Sequence, residues 1–233
     1  MVSIGLLRQL MAGLVLWLTV CGAMAAGAGV VTHLSGTLSV QRADGAVLIL
    51  SRKSPVFPGD LLTTQRDSFA QINFSDGSAA TLRPETTLRI EAYAFNPETP
   101  QADAMFLRLL KGGLRTVTGL IGKRGDPDAY RIGTTAATLG IRGSSGETLE
   151  CIAGACGRLP QGTYHTTITG LYVMQNEGGT RLVEPGQFAF AQDALRAPVL
   201  LPADPGLNLV PLPFSPGGGG AGGGRASQEC MVR

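Results

Sequence analysis

Charge, histidine and tryptophan are scarce in this sequence. Charged residues are 15% of the 233 residues, and there are two histidines and one tryptophan. The 19 basic residues nearly balance the 17 acidic ones, so there is no electrostatic footprint for nucleic acid or for an anionic membrane surface. His33 and His165 cannot build a histidine-rich metal centre, and no second close cysteine pair completes four zinc ligands. Ser144 and Ser145 lack the flanking residues of a nucleophile elbow. The carboxylates Asp60, Asp67, Asp76, Glu85 and Glu91 are scattered, so linear spacing nominates no acid–base pair. The glycine run at 217–224 has no strand before it and no Lys-Ser/Thr after it, which excludes a phosphate loop. Long helical periodicity is missing as well. These absences point to a non-catalytic, cofactor-free chain.

What is present begins with a targeting signal. Arg8 is the only charge before Arg42, an uncharged apolar run covers 10–20, and Ala23-Met24-Ala25-Ala26 follows. That order reads as a secretory signal over 1–25, cleaved after Ala25 or Ala26, which places the mature chain in the periplasm. Left uncleaved, the run would anchor the chain in the inner membrane, facing the periplasm. A lipid on Cys21 would require a small residue where Val20 stands. Export implies an oxidising compartment, so Cys151 and Cys156 are expected to form a disulfide, the alternative being two free buried thiols. Cys230 is left over and is available to pair with another chain.

From 30 to 195 the pattern is short apolar alternation punctuated by turn residues. The expectation is an all-β domain of roughly a dozen short antiparallel strands, as a β-sandwich, a barrel or a short β-helix. Two hairpins can be read to the register. A three-residue loop Ala43-Asp44-Gly45 sets Val40 opposite Leu48 and Leu38 opposite Leu50, gathering apolar side chains on one face. The loop Ser75-Asp76-Gly77 does the same for Ile72 with Ala80 and Ala70 with Leu82. Both place glycine where a bulged turn needs positive φ. A third hairpin is expected around Lys111-Gly112-Gly113, and 137–141, 163–168 and 171–176 read as separate strands. After Arg196 the prolines 198, 202, 205, 211, 213 and 216 and the glycine run argue for an extended, disordered tail over 197–233. Arg142, flanked by Gly140 and Gly143, reads as a structural arginine bonding carbonyls or a carboxylate such as Asp60 or Asp76; the competing reading is a ligand contact.

In order along the chain, Gly59-Asp60-Leu61-Leu62-Thr63-Thr64, Phe74-Ser75-Asp76-Gly77-Ser78, Leu109-Leu110-Lys111-Gly112-Gly113-Leu114-Arg115 and Gly140-Ile141-Arg142-Gly143-Ser144 resemble the FecR domain, with closing strands through Glu184-Pro185-Gly186-Gln187. The resemblance covers about 30–190. It implies an all-β periplasmic domain, which in the family's namesake regulators relays a signal from an outer-membrane iron-citrate or siderophore transporter to a cytoplasmic anti-sigma tail. Here the residues before the apolar run are too few for such a tail, and Ser144 stands where the family usually has threonine. Asp60, Asp76, Gly77, Arg142 and Gly143 are the expected structural-motif residues. The expected function is an interaction or signal-sensing module of the cell envelope, whose partner is another envelope protein. The alternatives are a cell-wall or carbohydrate-binding module on the same scaffold, against which the sparse aromatics Tyr93, Phe95, Tyr130, Tyr164 and Tyr172 argue, and a component of sigma-factor and iron-uptake signalling.

Overall fold

The computed structural model describes residues 27–207 and 212–214. The expected leader with Cys21, Ala25 and Ala26, and Cys230 with most of the 197–233 segment, lie outside the described residues. The strands are β1 (Gly29–Ser35), β2 (Leu38–Gln41), β3 (Val47–Leu50), β4 (Pro55–Val56), β5 (Leu61–Thr64), β6 (Phe69–Phe74), β7 (Ala79–Leu82), β8 (Thr87–Ala94), β9 (Ala104–Val117), β10 (Tyr130–Gly133), β11 (Thr138–Cys151), β12 (Gly162–Asn176), β13 (Gly179–Val183), β14 (Phe188–Ala191) and β15 (Val199–Leu201). Two short 3₁₀ turns are the only helical pieces among the described residues.

Local turn chemistry sets the first two hairpins. Across β2–β3, Leu38 faces Leu50 and Val40 faces Leu48; across β6–β7, Ala70 faces Leu82 and Ile72 faces Ala80. Gly45 and Gly77 hold φ of 88° and 84°, the left-handed geometry that ends a bulged three-residue loop. Both registers match the sequence expectation.

The third expected hairpin does not form. β9 is one continuous strand of 14 residues that bends at Gly112 (φ 85°) instead of reversing. Its first half lies between β8 and a parallel β10, and its second half between β7 and β11. β11 and β12 behave alike, bending at Gly143 (φ 62°) and Gly170 (φ 73°), so the runs read as 163–168 and 171–176 are one strand. A glycine in a strand pattern is equally compatible with a turn and a bulge. Here the choice is tertiary: the 83–86 turn packs onto Gly112, leaving no room for a reversal.

The three bent strands are shared between two leaves. One leaf runs β3–β2–β5–β8–β9–β10–β11–β12–β13, the other β4–β1–β6–β7–β9–β11–β12–β14–β15. A single core lies between them, with Leu38, Leu62, Ile90 and Leu107 from the first leaf and Val31, Ile72, Leu82 and Leu114 from the second. Each such side chain contributes about 1.5–3 kcal/mol by leaving water. The arrangement is sandwich-like, but the sheet is mixed, not antiparallel throughout. The β9–β10 pair is parallel because the chain crosses over between them, burying Ile121 of that crossover on the way.

The folded part also extends beyond 195. β15 pairs with β14 (Phe188 opposite Leu201, Phe190 opposite Val199), and Leu207 is buried beside Cys151 and Tyr164. Pro198 and Pro202 sit just outside β15, so the prolines expected to break the ladder bracket a strand of three apolar residues instead.

A Cβ on Gly112 would stand 2.7 Å from Thr86 Cα and 2.9 Å from the Glu85 carbonyl oxygen, whereas one on Gly77 would meet nothing within 4 Å. Gly77→Ala is expected to cost about 1 kcal/mol of unfolding free energy through positive φ alone. Gly112→Ala should cost about 2 kcal/mol more, because backbone must also move. Urea denaturation of the two variants checks this; equal losses would contradict the packing argument.

Candidate interaction site

The bend in β9 places Gly112 and Gly113 at the floor of a cleft of about 390 Å³. One wall is the 83–85 turn; the other is the loop closed by the Cys151–Cys156 disulfide, whose Cα atoms are 5.6 Å apart. Leu207 from the C-terminal segment completes the lining. Closing so short a loop stabilises the fold by only about 2 kcal/mol. The larger consequence is local: Cys151 is fully buried, and the bridge ties the exposed 152–155 loop to the small core of Tyr164 and Leu207.

Most charges around the cleft are engaged. Arg83 Nε donates to Glu147 Oε2 at 3.0 Å, and Arg115 Nη1 donates to Glu147 Oε1 at 3.2 Å. Arg83 and Glu147 are both buried. Gly113 lies flat against the Arg83 stem, where a Cβ would come within 2.7 Å of its Cδ. Glu150, also buried, accepts from Thr163 Oγ1 at 2.6 Å and from Thr135 Oγ1. Thr86 stitches the wall to the floor: its hydroxyl donates to the Gly113 carbonyl and accepts from the Gly113 N–H, each at 3.0 Å. Among the described residues Lys111 and Glu85 enter no ion pair, which leaves one cation and one anion facing a floor of glycine backbone. Such a site suits a ligand that brings an anion to Lys111 and a cation to Glu85, since the Gly113 N–H and C=O are already bonded within the fold.

Beneath the sheet sits His165, fully buried and in ring contact with Tyr172 at 4.1 Å. Thr167 Oγ1 donates to the Val183 carbonyl (2.9 Å), so it accepts from His165 Nε2 (3.2 Å), and Nδ1 shares a hydrogen bond with Thr148 Oγ1 (3.0 Å). Nε2 therefore carries a proton. Burial holds its pKa down at about 3; a bond with the Glu147 backbone opposes that shift without offsetting it.

The expected motif residues divide. Asp76 is buried and accepts from the Ser78 N–H (3.0 Å) and the Ile121 N–H (3.2 Å), fixing the crossover against the β6–β7 turn that ends at Gly77. Asp60 accepts from the Phe57 N–H (2.8 Å) and pairs with Arg42; burial nevertheless raises its pKa above the usual carboxylate value. Neither carboxylate meets Arg142. That side chain is 48% exposed and lies 3.8 Å from Asp128, itself 68% exposed, a contact of little energetic worth. Gly143 bends β11 so that Arg142 projects into a shallow basin with Lys123 and Arg124 and away from the core. The expectation of a strand-tying arginine is thus corrected: Arg83, Arg115 and Arg42 carry the structural ion pairs. No spacing could have nominated Arg83 with Glu147, because 64 positions separate them. Among the described residues no group of three His, Cys, Asp or Glu side chains is placed to hold a metal ion.

Residues 60–153 match the family model for FecR protein. This stretch is a FecR domain. It runs from Asp60 at the head of β5 to the disulfide loop and contains every cleft residue outside 154–156 and Leu207. The match is narrower than the resemblance read along 30–190. No curated protein matches the chain. Two crystal structures of a candidate anti-sigma factor from Parabacteroides distasonis ATCC 8503 are similar, with TM-scores of 0.47 and 0.46 at 12% and 11% identity. In each case 62% of this chain is covered, and the chain spans 60% of theirs.

Because the His165 pKa is about 3 in the folded chain and near 6.5 in the unfolded one, only the unfolded chain takes up the proton in that window. Stability is therefore expected to fall as pH drops from 6.5 toward 3, by about 2 kcal/mol at pH 5. Asp60, with a raised folded pKa, acts in the opposite sense: its contribution is present at low pH and lost as pH rises. Comparing denaturation of the parent and His165→Gln at pH 7.5 and 5 cancels that term; the variant should show the flatter profile, and parallel profiles would refute a neutral buried imidazole. Glu147→Gln should cost about 3 kcal/mol or more by leaving buried guanidinium charge uncompensated, while Arg142→Ala should change stability by under about 0.5 kcal/mol.

Proposed function

We propose that this chain is an exported, non-catalytic module of the bacterial cell envelope that recognises a segment of another envelope protein through the FecR-domain cleft and so takes part in signal sensing. The matched domain itself builds the cleft, and that carries the proposal: Arg83, Glu85, Lys111, Gly112, Gly113, Leu149 and Glu150 all fall within 60–153. Of the charged groups there, Arg83 is held by Glu147 and Glu150 by two threonine hydroxyls, whereas Lys111 and Glu85 present opposite charges beside a floor of glycine. Opposite charges beside a floor free of side chains suit a polypeptide segment that carries both signs. No aromatic side chain lines the cleft, so a sugar-stacking surface gains no support. The disulfide favours an oxidising compartment, in keeping with the leader read at 1–25. A FecR domain facing that compartment fits the relay of an envelope signal toward sigma-factor control.

A photo-crosslinking residue at Ala155, on the cleft rim, is expected to capture an envelope protein in living cells. The same residue at Arg181 on β13 should not, and Lys111→Glu should reduce the Ala155 adduct. Co-sedimentation with purified peptidoglycan sacculi, combined with no protein adduct, would replace this reading by a cell-wall binder. Recovery of the mature chain in the cytosolic fraction would defeat the compartment.

A further inference from the structure

The two leaves end in four outer strands, β3, β4, β13 and β15. Exposed strand edges invite pairing, and proteins usually blunt them with proline or charge. β4 begins with Pro55, β13 carries Arg181, and β15 lies between Pro198 and Pro202. β3 has none of these. It reads Val47-Leu48-Ile49-Leu50, and the first three side chains are 68%, 48% and 69% exposed. Both faces of Val47, Leu48 and Ile49 are thus open, while Val40 opposite Leu48 and Leu50 at the end of β3 belong to the core.

The backbone of this edge has a defined polarity. The Arg42 N–H bonds the Ala46 carbonyl at 2.8 Å, and the register continues through Val40 opposite Leu48. Bonded pairs alternate along an antiparallel ladder, so the N–H and C=O groups of Val47 and Ile49 point away from β2. An incoming antiparallel strand must place its own outward residues opposite these. If that strand is β3 of a second copy with Leu48 on the two-fold axis, Val47 faces Ile49 and the condition is met at both positions. The same register brings Asp44 of one copy toward Arg52 of the other, twice over. Asp44 and Arg52 are both exposed in the turns that flank β3, at opposite ends of an otherwise uncharged edge; Asp44 Oδ1 also accepts from the Ala46 N–H and Arg52 Nε donates to the Thr32 carbonyl. Apolar pairing, outward hydrogen bonds and charge therefore agree in a single isologous arrangement.

The geometry points to antiparallel self-association through β3, joining one leaf of each copy into a continuous sheet across a two-fold axis at Leu48. This holds independently of the cleft and its partner. β3 is short, so the interface is small and its formation depends on concentration.

The test uses the full chain. In sedimentation velocity the weight-average mass should rise from one chain toward two with increasing concentration. Ile49→Pro removes an outward N–H without touching a bond to β2, and should hold the mass at one chain. Ile49→Lys, which leaves the backbone intact, should do the same if the proline variant fails to fold. In a background with Cys21→Ser and Cys230→Ser, Leu48→Cys should form a covalent dimer on mild oxidation, because directly opposed unbonded residues bring Cα atoms within disulfide reach. Ile49→Cys should crosslink far less, since its counterpart lies diagonally. A single-chain mass at every concentration, or preferential crosslinking through Ile49→Cys, would overturn the proposal.

Discussion

β9, β11 and β12 each serve both leaves, and each has to bend sharply without losing its ladder. The bend falls at a left-handed residue in every case: Gly112, Gly143 and Gly170. An L side chain at such a position costs about 1–2 kcal/mol even in open space. At Gly112 and Gly170 a Cβ would also strike neighbouring backbone. Everything else depends on these bends. They set the two leaves face to face over one core, they let β10 run parallel beside β9, and at Gly112 they open the cleft floor.

A fold that turns its strands this way must satisfy polar groups at the corners, and it does so with hydroxyls and a few charges. Thr64 donates to the Arg83 carbonyl (2.6 Å), Thr86 brackets Gly113, and Thr118 Oγ1 accepts from the Ser144 N–H (3.0 Å) beside the Gly143 bend. Each bond is worth about 1 kcal/mol net, yet leaving its buried partner unmade would cost more. The Arg83–Glu147–Arg115 group follows the same logic at higher stakes. Its net stabilisation is modest because three charges are desolvated, but removing one member strands the others. Geometry is what the group secures: it joins β7's exit turn, β9 and β11 at the point where the leaves diverge.

Much of the fold was legible because hairpin chemistry is local. Asp-Gly at the end of a three-residue loop, with apolar residues alternating on either side, determines the register of β2–β3 and β6–β7 from a dozen neighbouring residues. Lys111-Gly112-Gly113 looks the same in sequence, and its different outcome depends on Thr86 and Glu85 arriving from another strand. Arg142 misled for a related reason: glycines at 140 and 143 suggested close packing, whereas Gly143 is the bend that turns the arginine outward. Pro198 and Pro202 bracket β15 without interrupting it, so prolines alone do not mark where the strands end. The cleft was not legible at all, because its lining comes from four stretches with no shared pattern, and the buried pair that supports it spans 64 positions.

The FecR match begins at β5 and ends in the loop after β11. Taken alone, that stretch would leave β11 without the twelve paired positions that β12 supplies, and β5 and β6 without β2 and β1. The flanking segments are thus structural necessities of this chain, completing both leaves around a shared centre. They also contribute to its surfaces: the uncharged β3 edge comes from the N-terminal flank, and the cleft-lining Leu207 from the C-terminal one. A cleft lined mainly by the matched stretch and edges supplied by the flanks lie on separate parts of the chain, so substitutions in β3 or β15 leave Gly112 and Glu147 untouched. The matched stretch accordingly supplies most of the cleft lining, and the segments around it complete the sheets that hold that lining in place.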